Sequence, residues 1–217
     1  MAPRERTPAT PGEFSHLLRE LEPEDAVPWA LAGYGTARAQ EIEYLDWPEV
    51  DFEGDVILLA ESDEAKKSEA ARRIVPMVDQ LRVRLHAEWV RQGQPTSGRV
   101  CPPRRADNKS GCLSLNALQK RCRREWQTRG LSPIGLQDSR HTAATWLDHA
   151  NVSPKVASVF MGHKAPKRQA DAAPITLGRY THVLPGELER ARGELQTFLD
   201  AREVDEAGNS FRLAEAV

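Results

Sequence analysis

A mainly α-helical fold with one small antiparallel β-sheet is what the sequence predicts, on three observations. Apolar residues recur at helical spacing through most of the chain, β-prone runs are confined to residues 50 to 75, and those runs are separated by short charged turns. With 217 residues, 40% of them hydrophobic, the chain can bury one sizeable core but hardly two.

Residues 1–11, with Pro3, Pro8 and Pro11 among small and charged residues, read as a lead-in. The first helix is expected from Gly12 to Leu21, stopped by Pro23, and the second from Ala26 to Tyr34, broken at Gly33 and Gly35. A third, from Ala37 to Leu45, carries Ile42 and Leu45 as its apolar stripe and gives Arg38 an ordered setting. Tyr34 and Tyr44 read as half-buried surface aromatics. In VDFEGDVILLA, Glu53-Gly54-Asp55 separates two β-prone runs, and Arg72-Arg73-Ile74-Val75 supplies a third, so a small sheet is expected. Pro76 suits the first position of a helix whose apolar set is Val78, Leu81, Leu85 and Trp89.

Residues 92–112, with three prolines, three glycines and a basic cluster, look like a long surface loop. Leu115, Leu118, Cys122 and Trp126 form the seam of the next helix, leaving Lys120, Arg121, Arg123 and Arg124 on its other faces. Gln137 to Ala150 should be helical, with Ala144 and Leu147 in the core, and so should Ser153 to Met161. A polar, proline-broken stretch follows His163 and leads to a turn with Tyr180. The last helix carries Leu188, Ala191, Leu195 and Phe198, and residues 203–217 form a polar tail.

No run of eighteen apolar residues occurs and the N-terminus has no signal-peptide pattern, so membrane and secretory classes are set aside and a cytoplasmic protein is expected. Cys101, Cys112 and Cys122 lack the paired spacing of a structural zinc site and read as reduced thiols. The net charge of −2 hides a segregation: residues 1–64 hold sixteen acids and four Lys/Arg, whereas residues 99–140 hold ten Lys/Arg and three acids. One surface is therefore expected to be basic enough to follow a phosphate backbone.

Five segments, in order, carry chemistry: Arg38 in GTARAQEIEYLDWPEVD, Lys67 (or its neighbour Lys66) in KKSEAARRIVPM, Arg140-His141 in LQDSRHTAATWLDHANV, Gly162-His163, and Tyr180 in RYTHV. This ordered set resembles the tyrosine recombinase, or phage integrase, catalytic domain, over roughly residues 13 to 200. The resemblance implies the fold of that catalytic domain over residues 12–202, duplex DNA as partner, a tetramer on DNA from a free monomer, and neither cofactor nor metal. It assigns the catalytic positions to Arg38, Lys67, Gln137, Arg140, His163 and Tyr180. Arg104, Arg105, Lys109, Lys120, Arg123, Arg124, Lys164, Lys167 and Arg168 are the candidate DNA-backbone contacts. His141 and His182 are expected to support the structure.

The chemistry explains the residue types. Two arginines supply permanently charged forks matched to phosphate, and nearby guanidinium charge favours the phenolate of a tyrosine whose ordinary pKa is about 10. By the resemblance, Tyr180 attacks phosphorus to form a 3′-phosphotyrosyl link, Lys67 gives a proton to the leaving 5′-oxygen, and His163 adds a hydrogen bond. Taken singly, Arg38 would be read as an ion-pair partner of Glu41 or Glu43, and His163 as a helix cap.

Three departures stand out. Gln137 occupies a position where the family has His, so it can hydrogen-bond but not titrate. The seventeen-residue interval from His163 to Tyr180 is longer than the family's usual link. The family's N-terminal core-binding domain is expected to be absent, since thirty-seven residues precede Arg38. The tail, with Phe211 and Leu213, is a candidate for docking on a neighbouring protomer. Two other functions remain open: a degenerate relative that binds DNA or a partner without cutting, and a type IB topoisomerase.

Overall fold

Thr10 starts the first helix, α1 (Pro11–Arg19), by a reciprocal cap: its hydroxyl accepts from the Glu13 N–H at 3.2 Å and the Glu13 carboxylate accepts from the Thr10 N–H at 2.7 Å. In the computed structural model, residues 8–62, 72–104, 111–163 and 185–203 are described. The next helix, α2 (Pro23–Gly33), is buried from Asp25 to Gly33 and forms the centre of the molecule. α4 (Asp79–Arg91), α6 (Leu136–His149) and α1 pack around it. An edge-on pair of Trp29 and Trp126, 4.9 Å apart, fixes α5 (Leu115–Thr128) near it. Phe14 sits between Tyr34 and Trp146, at 5.2 and 5.3 Å. That ring gives Gly33, where α2 ends as expected, a packing role: a Cβ there would lie 2.3 Å from Phe14 Cζ.

The sheet forms as expected, with order β1 (Val50–Asp51), β2 (Val56–Leu59), β3 (Arg73–Pro76), all antiparallel. Asp51 closes the first turn by accepting from the amides of Glu53 and Gly54, both at 2.9 Å. Ile57, Leu59 and Val75 face the core, and Ile74, one residue out of phase, is 50% exposed. Pro76 is the last residue of β3, paired with Val56, and α4 begins only at Asp79. The expected helix start at Pro76 is thus corrected: a proline also fits a strand end where its missing N–H is not needed.

The remaining helices are α3 (Ala39–Tyr44), α7 (Pro154–Phe160) and α8 (Pro185–Asp200). Three further expectations change. Tyr34 is fully buried, not half-buried, because its hydroxyl donates to Glu203 at 2.8 Å, and Gln80 donates to the other carboxylate oxygen at 3.3 Å. Glu203, read as the first residue of the tail, therefore belongs to the folded body. Within the expected loop 92–112, Val100 and Cys101 are buried, and the Val100 N–H donates to Leu45 O at 3.0 Å. None of the three cysteines is in a disulfide.

Four arginines of the basic run meet acids of the N-terminal region. Arg99 lies 3.0 Å from Asp46, Arg104 2.8 Å from Glu24, Arg121 2.5 Å from Asp25 and Arg129 2.9 Å from Glu20. Beside these cross-helix pairs, Lys120, Arg123 and Arg124 are exposed on α5. No helix among the described residues is long and apolar enough to cross a membrane, and none of their His, Cys, Asp and Glu side chains form a three-membered metal-binding group.

Candidate functional site

The end of α7 organises the site. Gly162 takes φ +55°, the left-handed conformation that lets the His163 N–H return to Ser158 O at 3.0 Å and the Gly162 N–H to Val159 O at 2.9 Å. This closure aims the carbonyls of Phe160, Met161 and Gly162 outward, at the negative end of the helix. Three arginines meet them. Arg38 donates through Nη2 to Gly162 O at 2.6 Å and Met161 O at 3.1 Å. Arg140 donates to Met161 O and to Thr36 O. Arg73 donates through Nε to Phe160 O at 2.8 Å.

Each arginine arrives by a different local rule. Arg38 caps α3 in an extended conformation, and its own N–H donates to Glu41 at 2.7 Å. The turn before it places Thr36 at φ +54°, a disfavoured conformation for a β-branched residue, held by a 2.6 Å bond from its hydroxyl to Phe160 O. Arg140 enters from the second turn of α6 and is 4% exposed. Arg73 points inward from β3 because it alternates with Ile74.

Of the residues singled out in the sequence, Arg38, Arg140 and His163 are brought together. Gln137 lies in the first turn of α6, exposed, with its Nε2 3.2 Å from His141 Nε2, so its amide engages the imidazole rather than Arg140. Lys66, Lys67, Tyr180, His182, Arg105, Lys109, Lys164, Lys167 and Arg168 lie outside the described residues. Arg73 and Thr36 were not foreseen. The two-residue spacing of Arg73 from Val75, a core position on the same strand face, was the signal for the first.

The sequence profile of the phage integrase family matches residues 13–185. The chain belongs to the phage integrase family. Among solved structures, the integrase from mycobacterium phage Brujita is 14% identical, with a TM-score of 0.59 over 92% of this chain and 60% of that one. XerA recombinase is 16% identical, TM-score 0.58, over 89% and 66%. A lambda integrase fragment is 16% identical, TM-score 0.54, over 81% and 64%. These likenesses establish the fold, that of the tyrosine recombinase catalytic domain, and the chain spans somewhat under two thirds of each of those structures. No match was found among curated proteins.

In this integrase-family site the electrostatics favour an anion. Burial first, then the charges of Arg38 and Arg73, push Arg140 down to about 9, still cationic at neutral pH. Burial, followed by the charges of Arg140, Arg38 and Arg73, also holds the His163 imidazole below its ordinary value. His163 is therefore neutral at pH 7 and able to donate one hydrogen bond. An NMR titration of its ring is expected to give a pKa below the ordinary value of about 6.5, rising when inorganic phosphate is added. A free-state value above the ordinary one would remove the positive field argued here. A separate groove of about 680 Å³ between α1 and the α5–α6 loop, lined by Glu13, His16, Arg123 and Asp138, contains none of these residues.

Proposed function

We propose that this integrase-family chain breaks and rejoins duplex DNA through Tyr180. The tyrosine oxygen forms a bond to the scissile phosphorus, the bond from phosphorus to the 5′-oxygen breaks, and Lys67 protonates the departing oxygen. Arg38 and Arg140 hold the non-bridging oxygens, and neutral His163 donates a further hydrogen bond. The free hydroxyl of the incoming strand then displaces Tyr180, so religation needs no ATP. The observation that supports this reading best is the convergence of Arg38 and Arg140, far apart in sequence, on the Met161 carbonyl, two residues before His163. The lambda integrase structure, a dimer bound to a core site, supports duplex DNA as the partner; assembly into a tetramer on DNA follows from the same reading.

The test is a nicked suicide duplex, from which the cleaved fragment diffuses away. Wild-type protein is expected to give a denaturation-resistant protein–DNA adduct, and Tyr180→Phe none. Equal adduct from both sinks the proposal.

One observation favours a second reading, a non-cutting DNA-binding relative: Gln137 cannot titrate, and its amide is already engaged with His141. If Gln137 is a weaker substitute for a proton-handling residue, Gln137→His is expected to raise cleavage or leave it unchanged. A clear fall in the adduct rate contradicts that role for position 137.

A further inference from the structure

The third arginine carries an inference that rests on the proposed phosphoryl transfer. We propose that Arg73 is the resident counter-ion of Glu41, a positioning residue whose charge leaves Arg38 free to act on phosphate.

The geometry divides Glu41 unequally. The Arg73 guanidinium holds it bidentately, Nη1 to Oε1 at 2.9 Å and Nη2 to Oε2 at 3.0 Å, whereas the Arg38 guanidinium reaches it through Nη1 alone, on Oε1 at 2.7 Å, with the Arg38 backbone N–H on Oε2 at 2.7 Å. The Arg73 side chain is 3% exposed and that of Glu41 is 0%, while Arg38 remains 25% exposed. Arg73 also anchors Phe160 O and Thr36 O. It is thus sealed beneath the site, too deep to touch DNA, and Arg38 is the member with surface to offer.

Charge accounting gives the consequence. Among the described residues, three guanidinia face one buried carboxylate. Burial works to raise the pKa of Glu41, but Arg73 first, and then Arg38, overrule it and keep the carboxyl below its usual range. A buried carboxylate does not remain uncompensated. Without Arg73, Glu41 would take Arg38 as its whole counter-ion, neutralising half of the phosphate clamp and turning its fork away from the substrate. With Arg73 in place, Arg38 can leave Glu41 for a phosphate oxygen and the carboxylate stays paired.

The test is a charge-compensation cycle. Single-turnover adduct formation on the suicide duplex is measured together with the dissociation constant for inorganic phosphate, read from phosphorus NMR line broadening. Arg73→Met is expected to lower cleavage by about 100-fold and to weaken phosphate binding. Adding Glu41→Gln, which removes the carboxylate charge but keeps an acceptor for the Arg38 N–H, is expected to restore at least about 10-fold of each loss. A merely structural Arg73 gives a double variant no better than the single one, and that result overturns the proposal. If Arg73→Met does not melt cooperatively, Arg73→Lys decides: charge retained means phosphate affinity within about 3-fold of wild type, and a larger loss overturns the counter-ion role. Should wild-type protein form no adduct, the recombinase reading fails, while the phosphate-binding cycle still decides this inference.

Discussion

Replacing Arg140 by lysine is expected to reduce Tyr180-dependent cleavage by about 10²- to 10³-fold, the effect of losing one preorganised donor to a developing oxyanion. Stability should hardly change. The two carbonyls that Arg140 serves each keep a second donor: Thr36 O retains Arg73 Nη2 at 3.0 Å, and Met161 O retains Arg38 Nη2 at 3.1 Å. Arg140 is also crowded by like charge, with burial first and then Arg38 and Arg73 acting against its charged form, and lysine keeps one positive charge there, so the charge balance of the cluster is unchanged. Arg140→Lys should therefore melt within a few degrees of wild type. A parallel loss of melting temperature and activity would recast Arg140 as a scaffold residue.

Gly162→Ala is expected to have the second largest effect, through both stability and geometry. Its φ of +55° strains any side chain, and a Cβ would stand 2.7 Å from Arg73 Nη1 and 3.1 Å from Arg38 Nη1. The backbone strain alone is worth about 1–3 kcal/mol. The displacement of two guanidinia adds a catalytic loss of about 100-fold, the scale of a misplacement near 1 Å. Gly93 separates the two contributions, because it has φ +84° and nothing within 4 Å of a built Cβ. Gly93→Ala should lower the melting temperature without changing cleavage. Equal cleavage by Gly162→Ala and wild type would mean that the arginine cluster tolerates rearrangement and is not preorganised.

Much of the site was legible because its residues obey local rules. Arg38 begins a helix after a turn, Arg140 sits inside a strongly patterned helix, and Gly162-His163 is a helix-terminating pair whose glycine the left-handed closure requires. The sheet followed from the short β-prone runs around Val56–Leu59 and Arg72–Val75 and the charged turns between them. What escaped the sequence depends on partners far along the chain. Tyr34 is buried because Glu203, 169 positions later, folds back onto it. The acids of the N-terminal region and the basic run after residue 99 looked like opposite faces, yet Asp25 and Arg121 bind each other across two helices. Arg73 was placed in a β-prone run with no role assigned, and the depth of Val75 on the same strand face marks it as internal. Gln137 could be read only as a group able to hydrogen-bond; its partner is His141, on the next turn of the same helix.

The most direct test of the central claim is the identity of the covalently linked residue. The adduct formed on a suicide duplex is digested with protease and nuclease, and the remaining nucleotide-bearing peptide is sequenced by mass spectrometry. A 3′-phosphate ester on Tyr180, and on no other residue, is the expected result; a link to Tyr34 or Tyr44, or a cleaved strand with no covalent link, would contradict it.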